Sequence, residues 1–279
     1  MSLDHDRPAD DGGELPEPAD RRLIEAIQPL SSVVVAFSGG VDSSLLAHAA
    51  LTALGSEGVL AVTARSESLA EGELDHCRRL ATEWQMPWIA VDTRELDDPD
   101  YVANAGDRCF WCKTALMDAL VPIAQERGAV VVLGVNLDDL GEHRPGQQAA
   151  RERGARFPLV EAGLAKGQIR ALAQDRGLEV WDRPAMPCLA SRIPYGTAVT
   201  VSLLRTVDRA ESALRDLGFD DVRVRHYDDT ARVEVPQAQL VRAAEHADEI
   251  LAALEDLGFR YVTLDLAGLR SGNLNQALG

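Results

Sequence analysis

Val33-Val34-Val35-Ala36-Phe37-Ser38-Gly39-Gly40-Val41-Asp42-Ser43-Ser44 decides how the rest of this chain is read. Five apolar residues, rich in β-branched valine, predict a buried strand. Two glycines follow. Leu45, Leu46, Ala49, Ala50, Ala53 and Leu54 then recur at helical spacing, and Gly55 stands where a helix stops. A strand, a glycine loop and a helix in that order suit a phosphate. Glycine lets backbone approach a ligand closely, and the first amides of a helix have no partner inside it. The loop matches neither GxxxxGK[ST] nor GxGxxG. An ordinary helix cap at Asp42 or Ser43 accounts for the residues after the turn, but not for Ser-Gly-Gly before the aspartate.

SGGVDSS after a hydrophobic strand resembles the PP-loop of the ATP pyrophosphatase superfamily, whose members split ATP into AMP and pyrophosphate to activate a carbonyl or carboxyl group. The surrounding pattern agrees with such a fold. Further strands are expected at residues 59–64, 88–91 and 130–134, with helices at 71–84 and 113–127 between them. Strands alternating with helices imply a parallel sheet covered on both faces, with ligands at the carboxyl ends of its strands. That places Ser38–Ser43, Ser66 and Gly134 along one rim. Residues 166–173 form an amphipathic helix of the Lys, Ile-Arg, Leu-Ala type, a pattern familiar from PP-loop enzymes and equally that of a plain surface helix.

From about residue 198 the pattern changes. Leu214-Arg215-Asp216-Leu217-Gly218-Phe219 precedes a strand at 222–225, and Leu254-Glu255-Asp256-Leu257-Gly258-Phe259 precedes one at 261–264. With a third strand at 231–235 and a helix around 237–255, this predicts a small α+β domain. The expected organisation is a disordered acidic tail (1–20), an α/β parallel-sheet domain of PP-loop, adenine nucleotide alpha hydrolase-like type (21–197) and the small domain (198–279).

Composition narrows the function. In 279 residues the formal net charge is −17, with 46% hydrophobic residues and four cysteines. A polyanion binder carries a basic face, and none is evident, which argues against a nucleic-acid partner. There is no apolar run long enough for a membrane span and no signal-type h-region before residue 20. Few cysteines fit a reducing cytoplasm better than a disulfide scaffold.

The cysteines carry the second signal. Cys109-Phe110-Trp111-Cys112 is a CxxC just ahead of an expected helix; Cys188 lies in the proline-punctuated stretch 184–196; Cys77 falls on a helical packing pattern and reads as core. The CxxC is open to three readings. A redox pair lacks its strand context, and a zinc site lacks a second pair. An iron–sulfur site needs Cys188 to converge, and three thiolates leave one iron open to substrate. Alternatively Cys188 is a lone nucleophile, with Arg192 nearby to favour its thiolate.

Together these residues look like the LarE family of ATP-dependent sulfur transferases in nickel-pincer nucleotide biosynthesis. The resemblance runs from about Leu23 to Ala277. It rests on VAFSGGVDSSLLA (35–47), LGVNLDDLGEHRPG (133–146), CLASRIPYGT (188–197), VRVR (222–225) and RYVTLDLAGLRSG (260–272). It implies that Ser38, Gly39, Gly40, Asp42 and Ser43 hold ATP phosphates and Mg²⁺, that Ser66 and Gly134 border the adenosine, and that Arg192 belongs to the cofactor site. It implies Cys188 as the sulfur-bearing residue. In one branch that cysteine gives up its own sulfur and becomes dehydroalanine. In the other, two more cysteines join it on a 4Fe-4S cluster, and Cys109 and Cys112 put this chain there. Glu211, Arg223, Arg225 and Glu234 match positions associated with substrate or metal. The implied substrate is a small pyridinium biscarboxylate mononucleotide, and a homo-oligomer is expected. Competing readings are a tRNA-thiolating PP-loop enzyme and a non-enzymatic ATP-binding regulator on the same fold.

Overall fold

The computed structural model describes residues 16–141 and 145–270. Strands β1 (Val33–Ala36), β2 (Val59–Arg65), β3 (Trp88–Asp92) and β4 (Val130–Leu133) form one parallel sheet in the order β3-β2-β1-β4. Val33 lies opposite Val59 on one side and Val130 on the other. Val33 and Val35 pack into one core with Leu45, Leu46 and Ala49; Val34 faces the opposite core with Met117 and Leu120. A strand buried on both faces has no polar side to show, so β1 reads as continuous valine rather than as an alternation. The connection reverses direction at β1, with β2 and β3 to one side and β4 to the other. A crevice therefore opens beyond the carboxyl ends of β1 and β4, where such sheets bind ligands.

Element boundaries differ from expectation in three places. The first helix runs Pro16–Ile27, so residues 16–20 are not tail: Ala19 is buried, and Asp20 pairs with Arg176 at 2.6 Å. Residues 1–15 lie outside the described residues. The helix expected from 113 starts five residues earlier, as Arg108–Glu126, and takes the CxxC into its first turns. The long helix around 237–255 is two, Leu240–Glu245 and Ala247–Glu255, broken at His246.

The second sheet has the order β5-β6-β7. Strands β5 (Arg223–Tyr227) and β6 (Thr230–Glu234) form an antiparallel hairpin, and β7 (Tyr261–Leu264) joins β6 in parallel. Its core contains Leu214, Phe219, Val224, Val233, Ile250 and Leu254. The helix Val201–Asp216 serves two cores. Ala210 and Leu214 belong to this one, whereas Leu204 and Val207 pack with Tyr101, Leu189 and Ile193 of the first domain. Its N-cap is Thr200, whose hydroxyl accepts from the Leu203 amide at 3.2 Å.

Candidate active site

The loop after β1 is closed by its own serines. Ser43 Oγ donates to the Gly40 carbonyl at 3.1 Å, and the Ser38 amide donates to Ser43 Oγ at 3.2 Å. Gly39 has φ +69°, and a Cβ there would stand 2.7 Å from the His76 ring. Its carbonyl is held from outside by His76 Nε2 and Arg183 Nη1, both at 3.2 Å, and Arg183 is fixed by Glu73 at 2.7 Å. Burial, with Arg183 close by, holds His76 below its ordinary pKa, so the ring is the neutral partner in this contact.

Beyond the loop is a cavity of about 310 Å³, lined among others by Phe37, Ser38, Asp42, Ser43, Lys113 and Gly134. Gly134 has a structural reason to be glycine, since a Cβ would sit 2.8 Å from the Ser43 amide and 3.0 Å from the Asp42 carbonyl carbon. Both contacts are backbone and cannot give way. Asp42 projects from the first turn of the helix Val41–Leu54. Its Oδ1 accepts from Asn136 Nδ2 at 3.1 Å, and its Oδ2 pairs with Lys166 Nζ. Asp138 anchors the start of the lysine's helix by accepting from the Lys166 amide at 2.7 Å. Asn136, Asp138 and Lys166 were not singled out as site residues from sequence, although Lys166 opens the Lys, Ile-Arg pattern. Lys113, next to Cys112, adds a second cation and has no carboxylate partner among the described residues. Ser66 departs from its expected place. It does not line this cavity; its hydroxyl shares a 2.9 Å hydrogen bond with Ser68, which in turn donates to Glu95 at 3.0 Å.

Cys109 and Cys112, one helical turn apart, lie opposite the loop that carries Cys188. Two buried side chains fasten loop to helix. Arg108 Nη1 donates to the Ala190 carbonyl at 2.9 Å, and Asn104 Nδ2 donates to the carbonyls of Pro194 and Thr197, both at 2.8 Å. Cys109 and Cys188 are exposed and Cys112 is partly buried. Burial first, and the Cys188 and Cys109 sulfurs with it, push the Cys112 thiol well above its ordinary range, while Lys113 opposes them. The three thiols are therefore within electrostatic reach of one another. They are not gathered around one point: among the described residues no three Cys, His, Asp or Glu side chains could hold a metal ion. The expected convergence of three sulfurs is thus only partial, because Cys188 sits on a loop held by its backbone rather than by its sulfur. Cys77 is fully buried, and burial raises its thiol to about 11.

Arg192, expected at the cofactor site, is turned inward. It is 2% exposed and donates to both oxygens of Glu211 at 2.7 and 2.9 Å and to the carbonyls of Pro187 and Cys188 at 2.5 and 3.2 Å. Its guanidinium is engaged inside the protein and does not line the cavity beyond the PP-loop. Glu211, Arg225 and Glu234 are likewise turned inward. Glu211 also accepts from Arg215 and the Val224 amide; Arg225 forks onto Glu234 at 2.6 and 3.0 Å and donates to the Ser191 carbonyl at 2.9 Å. Their work is to clamp the cysteine loop to the second domain. Arg223 differs. It is 7% exposed, has no carboxylate partner among the described residues, and donates to the Arg270 carbonyl at 3.2 Å. Burial, with Arg192 and Arg225 beside it, pushes its pKa below the usual guanidinium range. A buried cation in that setting favours an anion.

A parallel sheet with SGGVDSS at the carboxyl end of its central strand, closed by its own serines beside a nucleotide-sized cavity, defines an ATP pyrophosphatase of the PP-loop class. The NAD synthase family model matches residues 23–102. The chain is 41% identical over 257 residues to pyridinium-3,5-bisthiocarboxylic acid mononucleotide synthase of Lactiplantibacillus plantarum, covering 92% of this chain and 93% of that one. An uncharacterized protein of Synechocystis is 44% identical over 257 residues, 89% of this chain and 94% of the other. The tRNA-specific 2-thiouridylase of Rickettsia peacockii is 28% identical over 194 residues, 55% of this chain and 52% of that one. The chain belongs to the LarE family of PP-loop ATP pyrophosphatases, and it is an ATP-dependent sulfur-inserting type of enzyme. Among the described residues no helix is long and apolar enough to cross a membrane.

Proposed function

We propose that this enzyme adenylates the carboxylates of pyridinium-3,5-biscarboxylic acid mononucleotide and converts them to thiocarboxylates for a nickel-pincer cofactor. The observation that carries this reading is the attachment of the Cys188 segment to the PP-loop: Arg183, five residues before Cys188, donates to the Gly39 carbonyl. That contact supports a reading in which the sulfur-bearing segment works together with the PP-loop.

The chemistry follows from the residues. A carboxylate is a poor electrophile, and attack on the α-phosphate of ATP gives it AMP as a leaving group. The amides at the start of the helix Val41–Leu54, with Lys166 and Lys113, stabilise the charge on the departing pyrophosphate. Asp42, Ser38 and Ser43 offer the hard oxygen set that Mg²⁺ takes alongside phosphates, so the residues fit the ion. Cys188 presents the sulfur side, and a thiolate is nucleophilic at neutral pH. Arg223 suits the phosphate of the mononucleotide, because an anion there relieves an uncompensated cation.

The three-cysteine branch is part of the proposal. Cys109 and Cys112, one helical turn apart, and Cys188 on the facing loop are the thiols that would hold a 4Fe-4S cluster, and Arg108 ties together the two segments that bear them. When bound, the cluster supplies an open iron on which sulfide is carried. Anaerobic protein incubated with ATP, Mg²⁺ and the biscarboxylate nucleotide is expected to release AMP and pyrophosphate and, given sulfide, to form a product heavier by the oxygen-to-sulfur exchange. Iron and sulfide assays with a visible spectrum test the cluster. Loss of one H₂S from the mass of Cys188, with no iron bound, sinks the cluster and leaves the sacrificial route. Absence of substrate-dependent pyrophosphate release sinks the whole assignment.

A further inference from the structure

The peptide between Gly39 and Gly40 is held by groups outside the loop. Its carbonyl oxygen meets His76 Nε2 and Arg183 Nη1, both at 3.2 Å. His76 stands half-buried in the helix Glu73–Glu83, and Arg183 caps the turn Glu179–Asp182 ahead of Cys188. Two separate parts of the fold therefore reach one oxygen of the loop.

The contact with the ring has a fixed direction. Arg79 Nη2 lies 3.1 Å from His76 Nδ1. A guanidinium only donates, so Nδ1 accepts, and in the neutral ring the proton is on Nε2, facing the Gly39 oxygen. Glu179 pairs with Arg79, and Glu73 with Arg183 at 2.7 Å, so both arginines are themselves anchored. Burial first, then Arg183, keep His76 below its ordinary pKa, which favours that neutral ring.

Peptide geometry says what the bond achieves. Across a trans peptide the C=O and N–H point in opposite directions. Holding the Gly39 oxygen against His76 turns the Gly40 amide away from the ring. Gly40 lines the cavity beyond the loop, and its amide has no protein partner among the described residues. Two glycines give this peptide no preference of its own. A half-turn of the peptide changes ψ of Gly39 and φ of Gly40, and glycine admits both results. The turned peptide would offer a phosphate a carbonyl oxygen in place of an amide. The freedom that lets the loop approach a ligand thus calls for a restraint from outside it.

We propose that His76 is a positioning residue of the nucleotide site: its Nε2–H, oriented by Arg79, holds the Gly39 carbonyl outward and so keeps the Gly40 amide free to donate to a phosphate of ATP. His76 acts through the peptide and not on the substrate. The inference rests on the PP-loop as the phosphate site and adds to it a residue from another helix.

The test measures, by calorimetry on the full-length protein with Mg²⁺, the binding of α,β-methylene-ATP, which cannot be split into AMP and pyrophosphate. His76→Phe keeps a ring and removes the donor. His76→Gln removes the ring and keeps an N–H within reach of the same oxygen. The Phe variant is expected to bind roughly tenfold more weakly, the effect of one hydrogen bond, and the Gln variant within about twofold of wild type. A Phe variant equal to wild type overturns the proposal, because the peptide then keeps its orientation without the ring. A Gln variant as weak as Phe overturns it too, because the ring then only fills space. Should His76→Phe fail to unfold cooperatively on heating, His76→Asn, whose amide is too short to reach the oxygen, takes its place with the same expected loss. A wild type that does not bind the analogue sinks the PP-loop reading together with the proposal, whereas the two variant outcomes above sink the proposal alone.

Discussion

Arg108 donates to the carbonyl of Ala190 across 82 positions of sequence, at 2.9 Å and out of contact with solvent. The residue before Cys109 is thus tied to the residue two beyond Cys188. Buried and charge-assisted, this bond sets the spacing between two cysteine-bearing segments that share no secondary structure. Arg108→Met is expected to cost about 2–3 kcal/mol of stability. It should leave pyrophosphate release near wild type while sulfur transfer falls at least about tenfold. Equal losses in both half-reactions, measured under single turnover, would show that the tie serves the whole fold instead.

Asp42, which lines the cavity beyond the PP-loop, is paired with Lys166, and the two are expected to play distinct roles. Asp42→Ala is expected to abolish turnover, with the thermal midpoint within a few degrees of wild type. Lys166→Met should raise the KM for ATP and lower kcat together by about 10²-fold, as for loss of one stabilising donor. Full pyrophosphate release by Asp42→Ala at saturating Mg²⁺ would remove the carboxylate from the site.

Gly134→Ala tests the close approach of β4 to the helix Val41–Leu54. The new methyl meets backbone of Asp42 and Ser43, which cannot rotate away. Destabilisation of roughly 1–3 kcal/mol is expected, with weaker ATP binding because the loop is pushed outward. Gly163→Ala is a control for positive φ without a clash, since a Cβ there meets nothing within 4 Å.

Arg223→Met separates recognition from folding. Removing a buried cation that has no carboxylate ion pair among the described residues is expected to leave stability unchanged or raise it by about 1 kcal/mol. The KM for the phosphorylated nucleotide should rise at least about tenfold, with the KM for ATP unaltered. A lower thermal midpoint with an unchanged substrate KM overturns the assignment.

Stability should fall on mild acidification. Burial depresses His48, His76 and His226 below their ordinary value of 6.5. A depressed histidine binds its proton less readily when folded than when unfolded, so stability increases with pH in this window. The contribution is complete above about pH 6.5 and is lost as pH falls through the lower folded-state values. His226, whose Nδ1 has no partner and whose ring lies 5.2 Å from that of Phe259, is the cleanest case. His226→Phe should flatten the difference in unfolding free energy between pH 7.5 and 5.5. An unchanged difference excludes His226 from the effect.

The parallel sheet and its loop were legible because β1 carries their signature locally: continuous valine, then glycine, then a helical repeat. The mixed second sheet was legible from glycine stops ahead of short strands. What escaped sequence reasoning depends on contacts between distant segments. Arg192 reads as a free cation near a cysteine and Arg225 as a substrate or metal position, whereas Glu211 and Glu234 neutralise them inside the protein. Nothing local distinguishes a paired arginine from an available one. Arg223, two residues from Arg225 on the same face of β5, makes no carboxylate ion pair among the described residues. Lys166 and Asn136 belong to the site through tertiary contact with Asp42, and Ser66 leaves it because Ser68 offers a nearer partner. The CxxC fell inside a helix rather than ahead of it because Arg108, polar and buried, begins that helix.

The helix Val201–Asp216, with one face in each core, also decides how the molecule comes apart. A gene cut near residue 198 would not yield two independent halves. The upstream fragment would expose Leu189 and Ile193 and lose the acid that grips Arg192; the downstream one would expose Leu204 and Val207. Heating should therefore melt both sheets in a single calorimetric transition, and proteases should find no early nick between them. Recombining the second domain with a foreign nucleotide module would require that module to supply its own cysteine loop.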